Sequence, residues 1–133
     1  MGGGGESYPI TMPDLIIESI EATPTLCTGP PGGPMVCDVL VTATVKNIGD
    51  EGISLVQHTM ISVQRWPAGG GCGPLVINLE TLPMGPGQSV EVETTFAGLE
   101  ENAYNAFAEA DAFRLIRERD ETNNVGTIEF EVP

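Results

Sequence analysis

The sequence is poor in aromatic and in basic residues, and both shortages restrict what the protein can bind. Aromatic residues make up 5% of the 133 residues, and 5 Lys and Arg stand against 19 Asp and Glu, giving a net charge of −14. This charge repels nucleic-acid phosphates and anionic lipid surfaces. No run of residues approaches the roughly 18 apolar residues of a membrane-spanning helix. We therefore expect no nucleic-acid partner and no membrane insertion, whereas divalent cations and basic surfaces are compatible with the charge.

Catalytic motifs are missing as well. The glycine-rich stretch 67–74 has no Lys-Ser or Lys-Thr pair, so it is not a phosphate-binding loop. A carboxylate pair for glycoside hydrolysis can be drawn from the many acidic residues. One Trp and two Tyr, however, do not make the aromatic platform that a sugar-binding cleft would need. We predict that the protein is not an enzyme.

Three cysteines bear on both metal binding and redox compartment. Cys27, Cys37 and Cys72 lack the Cys-x-x-Cys spacing of a zinc site, and the single histidine, His58, has no cysteine near it in sequence. A disulfide in an exported domain fits these cysteines better than metal ligation does. Cys27 and Cys37 flank one Pro/Gly-rich loop, so we predict that they pair. Cys72 is an alternative partner for either, because its loop is expected at the same end of the fold.

The hydrophobic residues follow the period of β-strands. Every second residue from Val39 to Val45 is apolar, which predicts a half-buried strand that ends in a turn at Asn47 and Gly49. Seventeen Gly and eleven Pro divide the remaining chain into short segments. Seven short strands without a long helix between them predict an all-β fold, a seven-stranded antiparallel immunoglobulin-like β-sandwich. The six further strands are predicted at residues 14–22, 55–66, 75–80, 89–96, 103–111 and 125–132.

The strand phases make specific predictions about the core and the connections. Val41 and Val92 are expected to be buried and to face each other across the sandwich. The first strand is expected to close at Thr23 and Pro24, and residues 113–121 have room for one helical turn. We divide the chain into a glycine-rich leader at residues 1–13 and one β-sandwich domain at residues 14–133.

Four short motifs, at residues 13–20, 45–50, 82–87 and 120–124, resemble those of one known family. The family is the cell-adhesion-related domain of bacteria and archaea called CARDB. They occur in the family's order and cover the chain from about residue 13 to residue 133. The resemblance implies an immunoglobulin-like or fibronectin III-like module of secreted and cell-surface proteins, with adhesive or spacer roles and no catalysis. The loop between the first two strands and the Cys72 loop depart from the family, because both are longer than usual and carry cysteine.

Acidic residues are expected to gather at one end of the sandwich. Calcium takes six to eight oxygen ligands, so this cluster suits a calcium site, for which we name Asp111, Glu118, Asp120, Glu121 and Asn123. The alternative is purely structural: Asn123 and Asn124 form a turn, and neighbouring carboxylates pair with Arg114, Arg117 and Arg119. No other cofactor is expected. The full set of residues expected at this end is Asp14, Asp50, Glu51, Asp111, Glu118, Asp120, Glu121, Asn123 and Asn124.

The N-terminal segment has an alternating pattern of its own. Tyr8, Ile10 and Met12 alternate with other residues, so the segment is either a passive linker or an extended strand that adds to a sheet edge. Residues 1–5 contain no signal peptide and look like an initiating methionine and spacer ahead of a mature or excised module. We expect an extracellular or cell-surface location. The missing signal peptide agrees with this location if a leader has already been removed.

Three functions fit these observations. The first is a non-catalytic structural or adhesive surface module that contacts neighbouring copies or domains of its own kind. Tyr8, Ile10 and Met12 would then form an interface that builds a filament by strand addition. The second is a monomeric, calcium-rigidified module that binds carbohydrate or protein within a larger cell-surface protein. A small hydrolase is the third and the least favoured.

Overall fold

The computed structural model describes residues 12–33, 35–65, 75–112, 118 and 124–133. Within these residues no helix has the length and hydropathy needed to cross a membrane. The described residues form seven strands: β1 (Leu15–Thr28), β2 (Val36–Asn47), β3 (Gln57–Arg65), β4 (Leu75–Thr81), β5 (Ser89–Glu100), β6 (Asn102–Glu109) and β7 (Val125–Val132).

The strands form two sheets. One has three strands in the order β1-β2-β5, and the other has four strands in the order β4-β3-β6-β7. All neighbouring pairs are antiparallel. The predicted all-β sandwich of seven antiparallel strands is confirmed.

The core lies between the two sheets and is built from small and branched aliphatic side chains. In β2, buried and half-buried residues alternate along the whole strand, as the period of two predicts. Ala106 and Ala108 on β6 are fully buried, as are Val41 on β2 and Ile61 on β3. Small side chains in β6 leave room for the branched residues of the opposite sheet, so the sheets pack closely.

The first strand is longer than the sequence predicts. β1 continues through Thr23 and Pro24 and reaches Thr28, with irregularities in its pairing between Ile17 and Ser19 and between Pro24 and Leu26. β1 is the outer strand of its sheet, so the N–H group that Pro24 lacks is not needed by a second neighbour. The prediction that Pro24 ends the strand is wrong for this reason.

The relation of Val41 to Val92 also differs from the prediction. Both side chains are buried, but β2 and β5 are hydrogen-bonded neighbours in one sheet, where Val92 pairs with Ala43 and Val41 pairs with Thr94. The two valines therefore lie on the same face and do not face each other across the sandwich. Alternation identifies the face of a strand that is buried, but it does not identify which strands are neighbours. The helical turn proposed for residues 113–121 lies outside the described residues, except for Glu118.

Candidate functional site

The Asn47 pole is the end of the sandwich where β1, β3 and β7 begin and β2 and β6 end. Asn47 is fully buried there, although Asn is a polar residue at the end of a strand. Its Oδ1 accepts hydrogen bonds from the backbone N–H groups of Asp14 (3.1 Å) and Gly49 (3.0 Å), and its Nδ2 donates to the carbonyl of Glu51 (2.8 Å). One amide side chain thus satisfies three backbone groups from two separate parts of the chain.

A close approach of two backbone segments accompanies this amide. A Cβ atom at Gly49 would lie 2.3 Å from the carbonyl oxygen of Met12 and 2.6 Å from the nitrogen of Asp14. Met12 donates its N–H to Oδ1 of Asp50 (3.0 Å), and the N–H of Asp50 donates to the carbonyl of Met12 (3.2 Å). Only glycine at position 49 lets residues 12–14 lie against the turn after β2.

Glu118 joins the first strand to the last at the same pole. This carboxylate is 4% exposed. Its Oε1 accepts the backbone N–H of Leu15 (2.7 Å), and its Oε2 accepts Nδ2 of Asn124 (2.6 Å). Hydrogen bonds to an ionised acceptor are among the stronger ones in proteins. The start of β1 and the residue before β7 are therefore held together across the two sheets.

The residues proposed for calcium fall only partly within the described structure. Asp111 (2% exposed) and Glu118 are both buried near the Asn47 pole, whereas Asp120, Glu121 and Asn123 lie outside the described residues. The described residues contain no group of three or more His, Cys, Asp or Glu side chains placed to hold a metal ion. The calcium site stays a prediction, as do the proposed pairings of Arg114, Arg117 and Arg119, which also lie outside.

The expected gathering of polar residues at one pole is partly visible. Asp14 and Asn124 are buried there, and Asp14 and Asp50 take part in hydrogen bonds at the start of β1. From the sequence, Asn47 is predicted only as a turn residue, because its partner Asp14 lies 33 positions away. One feature of the sequence does point to a buried role for Asn47: it continues the series of every second residue that begins at Val39 and is otherwise apolar. Gln57 on β3 is another polar residue at a buried position of its strand.

The opposite end of the three-stranded sheet carries the disulfide, and we call it the disulfide end. Cys27 on β1 and Cys37 on β2 are directly opposite each other in the strand pairing and are covalently joined. This is the pairing that the sequence predicts. Cys72 lies outside the described residues. A stable disulfide is typical of proteins in oxidising compartments.

The four outer strands of the two sheets differ in charge. β1, β5 and β7 each expose two or more glutamates, whereas β4 exposes Leu75, Val76 and Ile77 and a single glutamate, Glu80. Of the interface residues predicted at the N-terminus, Tyr8 and Ile10 lie outside the described residues, while Met12 is half-buried and hydrogen-bonded to Asp50 of its own chain. The exposed glutamates of these three strands are Glu18 and Glu21 on β1, Glu91, Glu93 and Glu100 on β5, and Glu129 and Glu131 on β7.

Comparison with known proteins gives matches among solved structures. No protein-family model matches the chain, and no curated protein matches it. The chain is similar to the CARDB domain of the PF1109 protein from Pyrococcus furiosus, whose crystal structure is a complex with di-metal ions. The TM-score is 0.61 at 20% identity over 93% of this chain and 96% of that one. The fold is that of a CARDB domain. The solution NMR structure of the PF1109 domain gives a TM-score of 0.56 at 21% identity, covering 92% and 96% of the two chains.

A second likeness concerns a much larger protein. The chain is similar to part of the beta-D-glucoside glucohydrolase from Trichoderma reesei, with a TM-score of 0.58 and 15% identity. The match covers 95% of this chain and 20% of the enzyme. A similar fold therefore makes up a minor part of this enzyme, and the match shows the fold alone.

Proposed function

We propose that the protein is a non-catalytic structural or adhesive module of the cell exterior that associates with neighbouring copies of itself. The observation that carries the proposal is a CARDB-type sandwich whose outer strands, as far as the structure describes them, have no neighbour on one side. An extended segment can add to such an edge through main-chain hydrogen bonds. The disulfide between Cys27 and Cys37 supports an extracellular location.

The N-terminal segment is the proposed donor. If Tyr8 and Ile10 of one copy add to a sheet edge of the next, the contact is heterologous and repeats, so that it builds a filament. The intrachain hydrogen bonds of Met12 with Asp50 limit the donor to the residues before Met12.

Deletion of residues 1–11 tests this assembly. The deletion keeps Met12 and its bonds to Asp50, so we expect the shortened chain to retain the unfolding midpoint of the full-length monomer while losing higher oligomers in sedimentation velocity. Electron micrographs of the full-length protein should show filaments. A shortened chain with the oligomeric state of the full-length protein would show that the N-terminal segment is a passive linker.

A monomeric module rigidified by calcium is the second candidate. Two buried carboxylates near the Asn47 pole, Asp111 and Glu118, favour it, and the similar Pyrococcus furiosus domain is a complex with di-metal ions. Carboxylate oxygens are the ligands that calcium prefers, and bound calcium would hold the β6–β7 connection against the start of β1. Free calcium at 100 times its dissociation constant stabilises a protein by about 2.7 kcal/mol. Thermal unfolding midpoints measured with calcium and with EDTA test this stabilisation. Identical midpoints would rule out calcium binding by the folded protein.

A further inference from the structure

The outer edge of β4 differs from what a monomeric β-sandwich normally displays. Leu75, Val76 and Ile77 are consecutive and exposed by 44, 50 and 37%. β4 pairs with β3 on one side, and among the described residues no strand pairs with its other side. An exposed, apolar, unpaired edge strand is a template for the addition of another strand.

Charge makes β4 the edge best suited to a contact between copies. Each copy carries a net charge of −14, so two copies repel each other wherever acidic side chains meet. The outer strands β1, β5 and β7 expose glutamates along their length, whereas β4 carries only Glu80, near its end. A neighbouring copy can therefore approach β4 with the least electrostatic cost.

The N-terminal segment has the chemistry of a strand that fits this edge. Residues 7–11 carry no charge, and at about 3.3 Å per residue an extended run of five matches the five residues from Leu75 to Leu79. Main-chain groups of alternate residues point to the same side of a strand, so Tyr8 and Ile10 can pair with β4 while Pro9 faces outward. Pro9 has no N–H to offer a further strand, which limits the addition to one segment.

We propose that the outer edge of β4 is the acceptor site for residues 7–11 of a neighbouring copy. In this register Tyr8 and Ile10 lie on the face of the sheet that carries Val76, and the added strand extends the four-stranded sheet by one strand. The inference rests on the proposed assembly through the N-terminal segment and adds the location of its partner surface.

Two full-length variants with lysine substitutions separate acceptor from donor. Val76→Lys places a charge on the β4 edge, and Ile10→Lys places one in the donor segment. Val125→Lys is the matched control, because Val125 is a 43% exposed valine on β7, the other outer strand of the same sheet. Each change reduces the net negative charge, so a loss of assembly cannot come from increased overall repulsion. All three sites are expected to leave the unfolding midpoint of the monomer unchanged.

Sedimentation velocity across a concentration series then gives the answer. We expect Val76→Lys and Ile10→Lys each to raise the concentration at half-assembly at least tenfold, and Val125→Lys to match the wild type. An equimolar mixture of Val76→Lys and Ile10→Lys should form a species with the mass of two chains and no larger one. The intact donor of the first variant then binds the intact acceptor of the second, and both remaining surfaces are blocked.

Other outcomes would overturn the inference in distinguishable ways. Wild-type assembly by Val76→Lys, with loss of assembly by Ile10→Lys, would place the acceptor elsewhere and leave the proposed N-terminal assembly intact. Wild-type assembly by Ile10→Lys, with loss by Val76→Lys, would mean that β4 pairs with the β4 of a second copy. A wild-type protein that stays monomeric at every concentration would remove the proposed function together with this inference.

Discussion

The two ends of the three-stranded sheet are fastened by different chemistry. At the disulfide end, Cys27 and Cys37 link β1 to β2 by one covalent bond. At the Asn47 pole, the same two strands are held by hydrogen bonds of a buried amide, and Glu118 ties β1 to the opposite sheet. The covalent link acts within one sheet and depends on the redox environment, whereas the polar link joins both sheets and depends on side-chain geometry.

The polar link is expected to contribute more to stability. Asn47→Ala leaves the N–H groups of Asp14 and Gly49 without their acceptor, and each buried unpaired group costs about 1–3 kcal/mol. We expect the free energy of unfolding, measured with urea, to fall by about 4 kcal/mol. Asn78→Ala, at an exposed asparagine on β4, is the control and should stay within about 0.5 kcal/mol of the wild type. Equal unfolding midpoints for Asn47→Ala and Asn78→Ala would show that the Asn47 amide does not stabilise this pole.

The covalent link is expected to come second. Replacing both Cys27 and Cys37 by serine opens a loop whose ends are 10 positions apart. Chain-entropy arguments give a loss of about 2.5–3 kcal/mol. Cys72→Ser serves as the control, and non-reducing peptide mapping of the wild type should yield the Cys27–Cys37 peptide. A dominant peptide containing Cys72 would contradict the pairing.

Core valines between the two ends should have a smaller effect. Val41→Ala and Val92→Ala each remove buried methyl groups, and we expect each to lower the free energy of unfolding by about 2 kcal/mol. The value for Val41 should be the larger, because Val92 is 7% exposed. Val125→Ala, at an exposed position, should change little. A wild-type midpoint for Val41→Ala would mean that β2 has the opposite phase.

The smallest expected effect is the coupling between the two ends. Asn47 follows Cys37 by ten positions along β2, a distance of about 33 Å, and sites this far apart contribute additively within about 0.3–0.5 kcal/mol. Combining Asn47→Ala with the removal of the disulfide should therefore give the sum of the separate losses. A coupling energy above about 1 kcal/mol would show that the ends of the sheet do not act independently.

The sequence predicts the strands better than it predicts their partners. Alternation placed the buried faces of β2 and β5 correctly, because a period of two is a local property. Val41 and Val92 were assigned to opposite sheets because alternation contains no information on pairing. Pro24 did not end β1, since an outer strand tolerates a missing N–H group.

The candidate sites also differ in how far the local sequence predicts them. The Cys27–Cys37 pairing was predictable because both residues flank one loop. The role of Asn47 was not, because its buried amide contacts Asp14, 33 positions away, and only tertiary structure brings them together. Glu118 was predicted as a calcium ligand. Its carboxylate accepts hydrogen bonds from Leu15 and Asn124, and calcium binding there stays a prediction.

The disulfide has a mechanical consequence for a module carried between neighbours. β1 begins at the Asn47 pole and β7 ends at the opposite pole, so a pull on both strands acts along the long axis of the sandwich. Such a force shears β1 against β2 and loads the hydrogen bonds of their ladder together. Once they fail, the chain before Cys27 is drawn out, while the bond to Cys37 keeps the loop between the two cysteines from extending. The first step of extension would therefore end at Cys27, and any further extension would have to begin with β2, which then carries the force through the disulfide.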